Sequence, residues 1–186
     1  MSRALPLRSL ISAAALYAIT AGAPSAEAQS TVPDGEWHAF GRDGANTKYS
    51  PLAQITADNF ADLEVAWRWT SLSRPVVEQY ERIRPGSFKA APLMADGLVY
   101  VSTALGQAAA LDAGTGDTVW TYDPRIYDYM DRPPNVGWHH RGLSYWKDDE
   151  SDDARIFMSN HDLKLVALKL MAPLKRLLSS PPLLPV

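Results

Sequence analysis

Ala110-Leu111-Asp112-Ala113-Gly114-Thr115-Gly116-Asp117-Thr118-Val119-Trp120 decides how the rest of the chain is read. Ala110 and Leu111 close an apolar run, Asp112 can cap a tight turn with its carboxylate, and Gly114 and Gly116 tolerate positive φ. Thr118-Val119-Trp120-Thr121-Tyr122 then resumes with β-branched and aromatic residues, so the stretch predicts a hairpin. A Trp at a fixed offset after such a turn can lay its ring over a neighbouring sheet and bury a large apolar area there.

Working outward, residues 90–103 place Asp96-Gly97 between two apolar runs, the pattern of a type I′ hairpin. Residues 107–111 supply a third strand and 118–122 a fourth. Four antiparallel strands of this size make one blade of a propeller. Residues 122–138 carry Pro124, Pro133, Pro134 and Asn135, which exclude regular structure and predict a long loop on one face, where binding tends to sit. His139-His140-Arg141-Gly142-Leu143-Ser144-Tyr145-Trp146 begins the next blade. The acidic run 148–153 reads as a solvated hairpin loop, because it lacks the spaced pattern and Gly of a calcium loop. Strands are expected at 155–159 and 163–168 around an Asn160-His161-Asp162 turn.

Upstream of the hairpin, residues 41–52 are rich in Gly, Asp and Asn and predict a turn-rich loop with Tyr49 and Leu52 as apolar anchors. Residues 56–63 allow one short helical turn. Residues 63–70 alternate at period two, which places Leu63, Val65, Trp67 and Trp69 on one buried face of a strand. Residues 71–87, with Pro75 and Pro85, read as an irregular loop.

Composition bounds the function. With 46% hydrophobic and 21% charged residues the chain has a globular profile with enough apolar material for one core. Arg3 and Arg8 precede an apolar run over 10–21, and Ala26-Glu27-Ala28 is a small-x-small cleavage site, so residues 1–28 read as a secretory signal peptide cut after Ala28. The run is shorter than the roughly 20 residues a membrane-spanning helix needs. The absence of Cys excludes a disulfide framework, a thiolate metal site and a lipidated Cys. From Gln29 onward 16 Lys and Arg face 20 Asp and Glu, so no basic footprint for nucleic acid exists. A small molecule is the expected partner.

The motif A-L-D-x-x-T-G-x-x-x-W at 110–120 resembles the tryptophan-docking repeat of the quinoprotein dehydrogenases, which use pyrroloquinoline quinone (PQQ). G-x-D-x-x-x-T-x-Y-S-P-L at 41–52 and N-F-x-D-L-E-V-A-W-R at 59–68 are similar to the opening of those proteins, where the second supplies an outer strand that closes the ring. The resemblance runs from Asp34 to Leu168 and implies an all-β fold: a partial β-propeller, the amino-terminal blades of an eight-bladed quinoprotein propeller. It further implies a periplasmic PQQ-dependent dehydrogenase that oxidises an alcohol or sugar and passes electrons to a quinone or cytochrome.

By the same resemblance Arg141 reaches the carboxylate and carbonyl oxygens of PQQ, a task that suits a planar, permanently charged guanidinium. Ser159 stands where a cofactor-contacting Thr is usual, and Lys89 stands where several members carry a Glu. Asn135 and Val136 stand where methanol-type members carry adjacent cysteines, which points to the glucose-type enzymes. His139 and His140 read as loop residues. The calcium ligands and the catalytic Asp of the family lie downstream of anything present, so the chain alone is expected not to turn over. The alternative is a non-enzymatic periplasmic propeller scaffold, which shares the tryptophan motif; the 140–146 segment favours the dehydrogenase.

Residues 169–186 break the pattern. They hold six Leu and four Pro with no acidic residue, and they replace the Asp-x-x-x-Gly turn that Leu165-Val166-Ala167-Leu168 should enter. Prolines at 173, 181, 182 and 185 forbid a regular helix or central strand. This segment reads as an aberrant tail from a frameshift or a truncated gene.

Overall fold

The computed structural model describes residues 32–131 and 137–170. Two antiparallel sheets form within them. The first has β1 (Leu93–Ala95), β2 (Leu98–Ser102), β3 (Ala108–Asp112) and β4 (Thr118–Tyr122) in the order β1-β2-β3-β4. The second has β5 (Ser144–Lys147), β6 (Ala154–Ser159) and β7 (Leu165–Leu170) in the order β5-β6-β7. Apart from residues 63–70, this is the strand plan the sequence predicts, one full blade and the start of another. Among the described residues no helix is long and apolar enough to cross a membrane.

Strand alternation explains how the sheets meet. Leu93, Ala95, Leu98, Tyr100, Ala108 and Ala110 lie on one face of the first sheet and share a core with Leu143, Ala154, Ile156, Met158 and Leu170. Successive strand residues point to opposite faces, so one face of each sheet is spent on the other. A second cluster of Val76, Ile83, Leu105, Ile126, Tyr127 and Trp138 packs under the loops at the end of the sheets.

The turns carry the predicted chemistry. Asp96 and Gly97 have φ of 51° and 77°, as a type I′ hairpin demands. In the 112–117 turn, Asp112 Oδ1 accepts hydrogen bonds from the backbone N–H of Gly114 and Thr115, both at 3.0 Å. Thr115 Oγ1 donates to Asp117 Oδ2 at 2.8 Å, and the Gly116 N–H donates to the Asp112 carbonyl at 2.8 Å.

Four expectations are corrected. Residues 63–70 form no strand, and Leu63 and Val65 are exposed. The period-two pattern survives only in its aromatic half. Trp67 Nε1 donates to the Ala113 carbonyl at 3.0 Å, and Trp69 Nε1 donates to Thr118 Oγ1 at 3.1 Å. The ring that seals the 112–117 turn is therefore Trp67, whereas Trp120 packs beside Tyr100 of its own sheet, ring centroids 6.1 Å apart.

Tyr49 and Leu52 do not anchor the 41–52 loop, being 65% and 51% exposed. The polar pair Arg42 and Asp43 is buried instead, and Asp43 accepts from the N–H and Oγ1 of Thr47. The 71–87 segment contains a helix, α1 (Ser73–Gln79). Pro75 sits in its first turn, where a backbone N–H has no intrahelical partner to lose. Finally β7 runs on to Leu170, so Lys169 and Leu170 continue the blade. The remainder of the tail and the signal peptide lie outside the described residues, as do Asn135 and Val136.

Candidate functional site

The loop that joins the two sheets brings the candidate residues together. Trp138 is buried and bridges to Pro85, and Gly142 bridges in parallel to Ala91, so both ends of the 138–142 loop are fixed to the segment entering β1. Gly142 has a φ of 122°, a conformation that a side chain would strain. Between these points lie His139, His140 and Arg141. Together with Ser159, Asn160 and His161, at the end of β6 and in the turn after it, they line a cavity of about 230 Å³.

Arg141 and Ser159, separated by 18 positions, therefore open onto one space. Arg141 is exposed, and no acidic side chain pairs with it among the described residues. Arg141 is one of the residues that line the cavity. Lys89 is exposed and does not line this cavity.

Three further residues were not legible as site residues. His140 is 6% exposed, with Nδ1 2.8 Å from Ser102 Oγ and Nε2 3.1 Å from the Ser159 carbonyl. It is a structural histidine between the sheets, not a free loop residue. Burial holds its pKa below the ordinary value; the Ser159 carbonyl opposes that shift and neighbouring His161 adds to it. His161 packs edge-on against Trp138, ring centroids 5.1 Å apart, and burial depresses its pKa as well. Asn160 is buried; its amide Nδ2 reaches the Tyr122 hydroxyl at 3.5 Å while Oδ1 has no partner. The signal that could have marked these residues is the clustering of polar side chains at a strand end that closes against an apolar core.

The donor chemistry suits an oxygen-rich anion. An unpaired guanidinium, a hydroxyl, an amide and three imidazoles surround the cavity, with no carboxylate among its lining residues. Fixed positive charge and N–H donors recognise carboxylate and carbonyl oxygens. No group of three His, Asp or Glu that could hold a metal ion exists among the described residues. A second, wider space of about 600 Å³ lies between the 32–44 segment and β5, but Glu36, Asp43, Asp96, Asp148 and Asp149 line it beside His38, Arg42 and Lys147. Its carboxylates make it the poorer host for an anion.

Comparison with known proteins shows the family. The family model described as the PQQ β-propeller domain of glucose/ethanol/alcohol dehydrogenases matches residues 37–171. The chain is 33% identical over 134 residues to the 1-butanol dehydrogenase (cytochrome c) of Thauera butanivorans, covering 72% of this chain and 17% of that protein. It is 29% identical over 170 residues to the dehydrogenase subunit of the alcohol dehydrogenase (quinone) of Gluconobacter oxydans, covering 86% and 20%. With the quinohemoprotein alcohol dehydrogenase of Comamonas testosteroni it shares 31% identity over 173 residues, covering 87% and 22%. The crystal structure of that protein superposes with a TM-score of 0.57 at 30% identity, over 72% of this chain and 18% of that one. The chain thus spans about a fifth of the length of the curated relatives it matches.

Proposed function

The chain belongs to the PQQ-dependent glucose/ethanol/alcohol dehydrogenase β-propeller family, and from that premise we propose that it supplies one wall of the cofactor site of a periplasmic dehydrogenase acting on an alcohol or sugar. The observation that carries the reading is the meeting of Arg141 and Ser159 at one cavity between two blades. PQQ, when bound, supplies the two-electron oxidising capacity of an ortho-quinone.

The chain's own residues bind and orient. Arg141 offers a permanent charge and a planar fork of donors to carboxylate and carbonyl oxygens, and the Ser159 hydroxyl adds a short-range donor. The reading does not rest on Lys89. A calcium ion belongs to the proposal for the whole protein, with ligands outside the described residues, and so does the base that takes the substrate's proton. The electron acceptor of the whole protein is a cytochrome or a quinone, the two acceptors named for the Thauera and Gluconobacter relatives.

The test is a titration of the chain with PQQ, followed by quenching of tryptophan fluorescence. Arg141→Ala should weaken binding by about tenfold or more, the worth of a hydrogen bond to a charged group, and Lys89→Ala should leave it unchanged. Equal affinity of the wild type and Arg141→Ala would remove Arg141 from the site.

A further inference from the structure

One imidazole joins the two sheets at the edge of the cavity, and its partners fix its proton. Gly142 N–H donates to His140 Nδ1 at 3.3 Å, and a backbone N–H can only donate, so Nδ1 holds a lone pair. The Ser159 carbonyl can only accept, so Nε2, 3.1 Å away, holds the proton. The Ser102 hydroxyl, 2.8 Å from Nδ1, completes the set as a second donor to that lone pair. Ser102 ends β2 and Ser159 ends β6, so this single ring spans both sheets.

Arg141 lies between two pinned neighbours. On one side the His140 ring is held by both sheets; on the other the Gly142 N–H is held by that same ring, and the Gly142 backbone bridges to Ala91. We propose that His140 is a positioning residue for Arg141: the neutral imidazole, protonated at Nε2 alone, locks the 139–142 loop between β2 and β6 and so sets where the guanidinium stands. A proton added at Nδ1 would face the Gly142 N–H donor to donor and release that contact. The titratable groups around the ring are His161 in the turn after β6, and His139 and Arg141 on its own loop; β2 contributes only the Ser102 hydroxyl. Burial and the nearby His161 both favour the neutral ring.

The inference rests on the proposed function only for what Arg141 binds, and the experiment separates the two. In the full chain labelled with ¹⁵N-histidine at neutral pH, His140 should show a protonated Nε2 and a bare Nδ1, with a slowly exchanging Gly142 amide. His140→Asn places an amide oxygen close to the position of Nδ1 and should keep the Gly142 protection. His140→Ala should lose that protection by roughly tenfold, the worth of one hydrogen bond, and should weaken PQQ binding with Arg141 intact, with His140→Asn restoring both. If His140→Ala does not fold, the wild-type pH series decides: Gly142 exchange must accelerate in step with the titration of His140. An Nδ1–H tautomer, or Gly142 exchange indifferent to both the His140 substitutions and pH, overturns the proposal. If PQQ fails to bind even the wild type, the reading of Arg141 falls, while the tautomer and the Gly142 amide still decide the clamp.

Discussion

The first sheet turns its corners on Asp96-Gly97 and on the Asp112–Asp117 loop, whereas the second places Leu163, 91% exposed, at a φ of 64°. An L-residue with a bulky side chain pays for that left-handed conformation, and glycine or aspartate does not. The first sheet also has four strands, a buried β3 and a tryptophan roof over its last turn; the second has three, and no described strand pairs with the outer edge of β7. Local turn chemistry favours the first sheet, although it too buries one face in the shared core. The second depends on what it shares with the first: the core around Ile156 and Met158, and the His140 clamp.

The largest expected effect breaks that shared core. Ile156 is fully buried at the contact between the sheets, so Ile156→Ala should cost about 2–5 kcal/mol in a denaturant titration, with both sheets melting together. A loss below about 1 kcal/mol would mean that the second sheet does not lean on the first as described.

Gly116→Ala comes next and attacks the first sheet at its own device. Gly116 has a φ of 77°, and a Cβ there would stand 2.6 Å from the Trp67 ring. The backbone cost together with displacement of the ring should amount to about 1–3 kcal/mol. Trp67→Phe should lose less, since it removes the bond to Ala113 but relieves nothing. If Gly116→Ala melted like the wild type, Trp67 would not be the roof of this turn.

Acid provides a third test. His140 and His161 are both held below the ordinary histidine value of 6.5, so the unfolded chain takes up protons before the folded one does. Their stabilisation is complete above about pH 6.5 and declines as the pH falls below it toward their folded values. The carboxylates of Asp43, Asp128, Asp153 and Asp162 are lowered, chiefly by hydrogen bonds from Thr47, Arg125, Arg155 and Lys164 respectively, and their contribution is lost only in stronger acid, below 3.8. Thermal melts between pH 5 and 7 should therefore flatten in His140→Asn relative to the wild type, and an unchanged slope would count against a buried neutral His140.

The smallest effect sharpens the turn comparison. Leu163→Gly removes an unfavourable φ and should stabilise the chain by about 1 kcal/mol or somewhat less. The reverse exchange in the first sheet, Gly97→Leu, should destabilise by a similar amount, and identical signs for the two would refute the turn argument.

Much of this was written in the sequence. Period-two alternation and Gly-bearing turns announce strands through contacts only two to five residues apart, and for that reason β1 to β7 were legible. The roles of Trp67, Trp69 and His140 depend on partners 38 to 49 positions away, Ala113, Thr118 and Ser102, and alternation is silent about those. Arg141 and Ser159 were chosen separately and met only in three dimensions. Asn160 and His161 were passed over because a turn residue and a buried polar residue look alike in one dimension.

The central claim is that the space between the sheet ends, framed by Arg141 and Ser159, receives PQQ. Amide hydrogen exchange of the full chain with and without PQQ tests it most directly. The account predicts added protection at 139–142 and 159–161, with the 113–117 turn and β4 unchanged. Protection confined to the acidic space between 32–44 and 145–149, or none at any saturating concentration, would contradict it.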